Sequence, residues 1–439
     1  MQINDMLSKL KITQLNRMQE DSIEVILHND KDVIILSPTG SGKTFAYLLP
    51  LIQLLDSQSN SVQAIIIVPG RELALQSANV LKSMNTGIRA FASYGGRTTM
   101  EEHKAISQIK PHIVFATPGK LNDHIDKDNF NTKDVKFLVI DEFDKCLEMG
   151  FQEEMKAIID KLRSVRRRIL VSATDAEIIP DFINIGRSCK IDYLSSKEQI
   201  PKRIKVYKVN SPTKDKLETL SGLLKTVGEK SSIVFLNHRE SVERTADFLY
   251  NNGFVVSSFH GGMEQKARED SLYRFSNGST NIFVCTDLGS RGLDIPDVEN
   301  VIHYHIPENE DCYIHRAGRT ARWKSNGNTY FILGPEENIP DYVNSVIENF
   351  SIPEELPAPA LPVMTTLYIG KGKNDKISKG DIVGFLCKKG KLNIGDIGKI
   401  DVRDRYSYVA IKRTTMNAVL DLICGEKIKG LKTIIEQIK

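Results

Sequence analysis

Eight residues near the N-terminus, Ser37-Pro38-Thr39-Gly40-Ser41-Gly42-Lys43-Thr44, combine glycines, hydroxyls and a lysine in a pattern suited to gripping phosphate. The apolar run Val33-Ile34-Ile35-Leu36 precedes them and Phe45-Ala46-Tyr47-Leu48-Leu49 follows, so the loop is expected to join a strand to a helix. Glycines let backbone N–H groups turn inward, where they and the helix N-terminus can hold phosphate oxygens. Lys43 would set a fixed positive charge on the outer phosphates, and Thr44 would offer a hydroxyl to Mg2+. Much further along, Asp141-Glu142-Phe143-Asp144 follows the apolar run Phe137-Leu138-Val139-Ile140. A carboxylate leaving the C-terminal end of a buried strand can hold Mg2+ through water, here Asp141. Its neighbour Glu142 can orient or deprotonate an attacking water. The two segments together point to hydrolysis of a nucleoside triphosphate.

Such groups need a scaffold. Residues 30–200 alternate strand-sized apolar runs with helix-length segments: 33–36, 64–68, 113–116, 137–140 and 168–171. That rhythm predicts a parallel sheet covered on both faces, with ligands at the C-terminal ends of its strands. It restarts at 204–207, 232–235, 254–256, 281–284, 300–303 and 329–332. A second parallel-sheet domain is therefore expected, with the boundary in the polar stretch that carries Pro201 and Pro212. Pro353, Pro357, Pro359 and Pro362 then read as an extended linker. The last stretch, with strand-like 366–369 and 406–411 and helix-like 416–424, suffices for a small α+β module. The expected boundaries are 1–200, 201–350, a linker at 351–363, and 364–439.

The chain has 439 residues, 41% hydrophobic and 26% charged, as in water-soluble globular proteins. Its apolar runs are too short for a membrane span, and no basic-then-apolar leader opens it, so a cytoplasmic protein is expected. Six cysteines, none in a CxxC pair, read as reduced thiols. His303 and His305 would share a face if both lay on one strand, as a metal pair or as ordinary packing residues. Charge is uneven. Residues 364–439 hold 16 Lys+Arg against 8 Asp+Glu, while the rest holds 43 against 48. A basic module on a mildly acidic body fits a polyanionic partner, or a merely solvated lysine-rich surface.

With these motifs in view, the chain resembles the DEAD-box RNA helicases. Pro69-Gly70-Arg71-Glu72-Leu73-Ala74-Leu75-Gln76, Gly95-Gly96 and Thr117-Pro118-Gly119-Lys120 resemble the RNA-facing motifs of that family's first domain. Ser172-Ala173-Thr174 stands where the family couples hydrolysis to duplex opening. Phe235-Leu236-Asn237, Gln265-Lys266-Ala267-Arg268, Thr286-Asp287 with Ser290-Arg291-Gly292-Leu293-Asp294, and His315-Arg316-Ala317-Gly318-Arg319-Thr320-Ala321-Arg322 resemble the later motifs. The pattern departs at Phe143 and Gly70, where the family has alanine and threonine. Lys120 replaces an arginine, Leu15-Asn16 replaces Pro-Thr, and Ile12 stands where an aromatic would stack on adenine. Gln19 fits the adenine-reading motif.

The resemblance implies two tandem RecA-like, P-loop-type parallel-sheet α/β domains plus a small C-terminal α+β RRM-like domain. It implies ATP as the nucleotide, bound by Gln19, Thr39, Gly40, Ser41, Gly42, Lys43, Thr44 and Asp294, with Mg2+ at Thr44 and Asp141. Lys43, Asp141, Glu142, His315, Arg319 and Arg322 would do the chemistry, the two arginines as cis arginine fingers three apart on one helical face. Arg71, Gly95, Gly96, Thr117, Pro118, Gly119, Arg268 and Thr286 would hold the RNA, largely by its backbone. Ser172 and Thr174 would couple the two events. ATP and RNA together would close the cleft between the domains and bend one strand, so unwinding would be local and non-processive.

The tail Tyr368-Ile369-Gly370-Lys371-Gly372-Lys373-Asn374-Asp375-Lys376-Ile377-Ser378-Lys379, with Gly395-Asp396-Ile397-Gly398 and Ile428-Lys429-Gly430, resembles the C-terminal RNA-binding domain of DbpA-type bacterial helicases. That likeness implies anchoring to large-subunit ribosomal RNA, pre-ribosomal particles as partners and a monomeric enzyme. Lys371, Lys373, Lys376, Lys379, Arg403 and Arg405 are the expected contacts. Tyr406 or Tyr408 could stack on bases or could equally be strand core. Two other readings fit: an RNA clamp or annealing protein with weak ATPase, and a general helicase whose tail is only an electrostatic anchor.

Overall fold

The five apolar runs of the first half become five strands of one seven-stranded parallel sheet. The computed structural model describes residues 3–10, 12–38, 40–95, 99–175, 179–194, 204–287, 298–320 and 326–438, which fall into two compact units, 3–194 and 204–438. In the first, the strands are β1 (Asp32–Leu36), β2 (Ala64–Ile67), β3 (Ala90–Ser93), β4 (Ile113–Ala116), β5 (Phe137–Asp141), β6 (Arg167–Ser172) and β7 (Ser188–Asp192), paired in the order β3-β4-β2-β5-β6-β1-β7. Alternation along the strands feeds two cores. Val33, Ile35, Ile66, Val139 and Ile169 face one. Ile65, Ile67, Leu138, Ile140 and Leu170 face the other. Burial on both faces is why these strands read as continuous apolar runs.

The second unit repeats the plan with β8 (Ile204–Asn210), β9 (Ser232–Leu236), β10 (Val256–Phe259), β11 (Ile282–Thr286), β12 (Asn300–His303), β13 (Gly327–Leu333) and β14 (Ile347–Asn349), in the order β10-β11-β9-β12-β13-β8-β14. The strand expected at 254–256 lies two residues later. Gly253 takes a left-handed turn (φ +85°) and Phe254 goes into the core, so the strand begins only at Val256. Residues 351–363 carry no helix or strand.

The same unit ends in a small antiparallel sheet, β16-β17-β15-β20, from β15 (Met364–Ile369), β16 (Ile397–Val402), β17 (Ser407–Lys412) and β20 (Ile435–Gln437). Helices Lys379–Lys388 and Met416–Ile423 connect them in βαββαβ order, and a short hairpin, β18 (Lys427–Ile428) and β19 (Leu431–Lys432), precedes the last strand. The hairpin turns at Lys429 and Gly430, both left-handed.

Candidate active site

β1 feeds the glycine loop, and the helix Lys43–Leu54 leaves it. Gly42 is left-handed (φ +82°), and a Cβ on it would lie 2.4 Å from the Gln19 amide, so glycine is required on two grounds. Gln19 is held there by a capping box. The Gln19 N–H donates to the Asn16 side chain, and the Asn16 N–H donates back to Gln19 Oε1. Gln19 Nε2 then donates to the Gly42 carbonyl (3.2 Å), and Asn16 Nδ2 to that of Ser41 (2.8 Å). Asn16, one of the departures from the family pattern, thus caps the helix and steadies the loop. Ile12 packs partly buried against the apolar core. Lys43 Nζ donates to the Ser37 and Pro38 carbonyls (2.7 and 3.0 Å).

Asp141 ends β5 and is buried, as the strand pattern requires. Tyr47, one turn beyond Lys43, donates its hydroxyl to Asp141 Oδ2 (2.8 Å), and the Glu142 N–H donates to Oδ1 (3.0 Å). Burial pushes the Asp141 carboxyl up, while the Tyr47 hydrogen bond and the Lys43 charge pull it down. The Tyr47 hydroxyl is itself pushed well up by burial and by Asp141, against hydrogen bonds with Ser77 and Thr44. Lys43, Thr44 and Asp141 therefore converge around Tyr47, a residue the sequence reading did not single out. Glu142 starts the next helix in the left-handed region (φ +51°), a conformation that costs a non-glycine residue about 1–3 kcal/mol and that clusters at functional sites.

The acidic segment is wired to β6. Thr174 Oγ1 donates to Asp144 Oδ2 (2.9 Å), and Ser172 Oγ donates to the Thr174 carbonyl (2.6 Å). Phe143 turns away from these polar groups and is buried with Leu138, Ile140 and Leu170. The oxygen donors Thr44 and Asp141 suit a hard cation such as Mg2+, and the missing side chain at Gly42 lets the Gln19 amide pack against the loop backbone.

Arg71 opens the helix Arg71–Ser83, and its guanidinium lies so near Gly95 that a Cβ there would be 3.2 Å from Nη2. Thr117 precedes Pro118 at the head of the helix Pro118–Asp126, and its N–H donates to the Ser93 carbonyl at the end of β3. Arg71, Gly95, Thr117 and Pro118 are thus tied to the ends of neighbouring elements, and a Cβ on Gly119 would meet nothing within 4 Å. Beneath them Glu102, buried, accepts from Ser93 and hydrogen-bonds His124 (2.8 Å), with Lys120 at 3.5 Å. Thr39, Gly96, Asp294 and Arg322 lie outside the described residues.

In the second unit Arg316 is the hub. Nearly fully buried, it donates to both Asp287 oxygens, to Asn237 Oδ1 (2.9 Å) and to the His305 carbonyl (2.7 Å), and covers the Phe235 ring. Three motifs read separately in the sequence meet on this one guanidinium. His315 and Arg319 are buried beside it in the chain, at and just after the end of the helix Glu310–Ala317, and Thr286 is buried at the end of β11. Arg268 lies 4.9 Å over the Phe259 ring. His303 ends β12 and stacks on Phe331, with Thr329 Oγ1 at 3.3 Å, and His305 lies beyond the strand, its Nδ1 accepting from Asn237 N–H.

In the terminal module Lys373, Lys376 and Lys379 are exposed, as is Arg405. Lys371 is partly buried and pairs with Asp375 (2.8 Å), and Arg403 with Asp401 (2.7 Å). Burial works to lower the Arg403 pKa, but the Asp401 and Glu269 carboxylates beside it raise it. Tyr408 is buried, and Tyr406 is half-buried with its ring 5.0 Å from that of Tyr408.

Comparison with known proteins gives three family matches. Residues 16–180 match the DEAD/DEAH box helicase family, 215–324 the helicase conserved C-terminal domain, and 366–437 the DbpA RNA binding domain. The ATP-dependent RNA helicase DbpA of Escherichia coli is 33% identical over 97% of this chain and 94% of its own length. That of Bacillus subtilis is 31% identical over 97% and 95%. Among solved structures, Saccharomyces cerevisiae Dbp5 bound to RNA and ADP BeF3 matches with a TM-score of 0.70, at 24% identity, over 79% of this chain and 93% of its own, a likeness of fold. Mss116p bound to ssRNA and AMP-PNP matches with a TM-score of 0.70 at 26% identity, over 80% and 77%. The two parallel sheets are therefore RecA-like.

Proposed function

The chain belongs to the DEAD-box ATP-dependent RNA helicases, an ATP-hydrolysing family, and from that premise we propose that it couples RNA-stimulated ATP hydrolysis to local, non-processive unwinding of RNA duplexes in large-subunit ribosomal RNA. The observation that carries the coupling is the run of contacts from Tyr47 through Asp141 and Glu142 to Asp144, Thr174 and Ser172. Under that proposal a change at the phosphate loop would reach Asp141 through Tyr47, and the same acidic segment accepts from Thr174 of the hydroxyl motif that resembles the family's coupling element. In this reading Lys43 and the loop N–H groups hold the phosphates and Glu142 orients or deprotonates the attacking water. His315 links the last motif to the acidic one. Arg319 and Arg322 stabilise charge on the phosphoryl group, and Asp294 contacts the ribose. Mg2+ held by Thr44 and Asp141 would supply further charge stabilisation. Gln19 reads the adenine. Arg71, Gly95, Gly96, Thr117, Pro118, Gly119, Arg268 and Thr286 hold one strand by its backbone.

The ribosomal part of the reading is supported by the terminal module's match to the DbpA RNA binding domain and by the names of relatives, among them an ATP-dependent rRNA helicase of Yarrowia lipolytica, 36% identical over 72% of this chain. Among the described residues no helix is long and apolar enough to cross a membrane. We place the protein in the cytoplasm as a monomer working on pre-ribosomal particles. Phosphate release with and without RNA tests the enzyme. Lys43→Ala and Glu142→Gln should each lower RNA-stimulated turnover by about a hundredfold or more while RNA binding persists. Undiminished turnover in both would overturn the assignment.

A further inference from the structure

A four-stranded βαββαβ sheet has one face under its two helices and one face open. Here Leu367, Ile369, Val409 and Ile411 face the helices, packed with Ile382, Leu386, Met416, Val419 and Ile423. Alternation then sends Thr366 and Tyr368 of β15, and Tyr408 and Ala410 of β17, to the other face, with Tyr368 directly opposite Tyr408. That face is not open. Thr366, Tyr408 and Ala410 are 0%, 1% and 0% exposed.

What covers them is the helix Gln265–Ser276 and the turn after it. The Tyr408 hydroxyl donates to Asp270, and the Tyr408 ring lies 4.9 Å from that of Tyr273. Tyr273 donates its hydroxyl to the Lys399 carbonyl in β16 (2.9 Å). Lys266 Nζ sits 5.9 Å over the Tyr368 ring. Asn277 Nδ2 donates to Thr366 Oγ1 (2.9 Å), which donates in turn to Ser279 Oγ (2.8 Å). Arg413 Nη2 donates to the Ser279 carbonyl (3.0 Å). Lys266, Asp270, Tyr273 and Asn277 are spaced at i, i+4, i+7 and i+11, one stripe of a helix carried into its C-cap. Arg268, the position of the same helix proposed above to hold RNA, falls off that stripe. Burial pushes the Asp270 carboxyl up and the Tyr408 hydrogen bond pulls it down, as for a carboxylate inside a contact rather than at a surface.

We propose that the tyrosine face of the terminal module is an internal docking surface rather than a base-stacking platform, and that the Asp270–Tyr408 contact is a positioning device holding the Gln265–Ser276 helix where Arg268 meets the RNA backbone. The proposal rests on the RNA-stimulated ATPase reading. It assigns the module two separate jobs. The basic loops carrying Lys373, Lys376 and Lys379 hold RNA, and the tyrosine face sets the geometry of a contact that belongs to the other half of the unit.

The test uses full-length protein and a single-stranded oligonucleotide that the module has no reason to prefer. RNA-stimulated phosphate release gives the half-saturating RNA concentration and the turnover at saturation. Asp270→Ala and Tyr408→Phe should each raise the half-saturating concentration about tenfold, the scale of one hydrogen bond to a charged group, with turnover at saturating RNA and basal turnover unchanged. Asp270→Asn keeps an acceptor for the Tyr408 hydroxyl and should stay near the unmodified protein. A lowered melting temperature with unchanged half-saturation in both disruptive variants would make the contact mere structural glue and overturn the proposal. So would photocrosslinks from 4-thiouridine RNA to Tyr368, Tyr406 or Tyr408. If the unmodified protein shows no RNA stimulation at all, the helicase reading itself fails, which is a different result from stimulation that the variants leave untouched.

Discussion

Phe143 stands in the acidic motif at a position where the family has alanine, yet its ring is 2% exposed and belongs to the core behind β5 and β6. A large apolar side chain flanked by Glu142 and Asp144 is therefore a packing residue, and its neighbours alone meet polar partners. Truncation separates the two roles. Phe143→Ala should destabilise the first domain by about 3–5 kcal/mol, the usual cost of emptying a buried phenylalanine site. Well below the melting transition, the half-saturating ATP concentration should stay within about twofold of the unmodified protein, since only ~0.4 kcal/mol of binding would be at stake. Denaturant titration and ATPase assays at low temperature check this, and a large loss of ATP affinity with unchanged stability would contradict it. Tyr47 teaches the complementary lesson. It is 94 residues from Asp141 in sequence, and only its place one turn after Lys43, on the face of the helix that follows the phosphate loop, could have marked it.

At the scale of elements, β9, β11, β12 and the helix Glu310–Ala317 enclose the guanidinium of Arg316, and two histidines share that interior. Burial, followed by the Arg316 charge, holds His303 well below its ordinary pKa. Burial, followed by Lys216 and His238, pulls His305 down to about 4. In the unfolded chain both would titrate near 6.5. Below that pH the unfolded chain binds more protons than the folded one, so stability should fall as pH drops from about 6.5 towards 4. Thermal unfolding followed across that window should show the decline, and His305→Gln should make it shallower; identical slopes in the two proteins would remove His305 as a cause. The strands around this interior were legible because they are buried on both faces and spell Val, Ile and Phe. The edge strands were not: β7 is mostly exposed and reads Ser-Cys-Lys-Ile-Asp, and β16 has irregular register and only one buried residue. β3 reads Ala-Phe-Ala-Ser, too short and too small to stand out. The same limit applies to the site. Each motif was visible as a local string, but that Asn237, Asp287 and Arg316 share hydrogen bonds, or that Asp144 grips Thr174, depends on sheet order, which periodicity does not encode.

For the molecule as a whole, the uneven charge acquires a physical meaning once the terminal module's surfaces are told apart. Its helix face is core and its tyrosine face lies against the Gln265–Ser276 helix, so a polyanion is met outside those two faces, and the basic loops offer such a place. Lys371 is engaged with Asp375, and Lys429 with Asp381 and the Lys376 carbonyl, contacts that shape the loops. Lys373, Lys376 and Lys379 stand exposed on one short stretch, the arrangement expected of groups that displace counterions from a phosphate backbone. Neutralising them together as Lys373→Gln, Lys376→Gln and Lys379→Gln should leave the docked sheet and basal ATP turnover unaltered. RNA affinity should fall at low salt, and the slope of log affinity against log salt should lose up to about three, roughly one for each phosphate contact removed. If these loops also choose the RNA, sequencing of crosslinked RNA should show large-subunit ribosomal sequences enriched by the unmodified protein and not by the triple variant. A reduced slope with enrichment intact would mean that the lysines supply only electrostatic anchorage and that selection lies elsewhere in the module. An unchanged slope would remove these lysines from the RNA interface altogether.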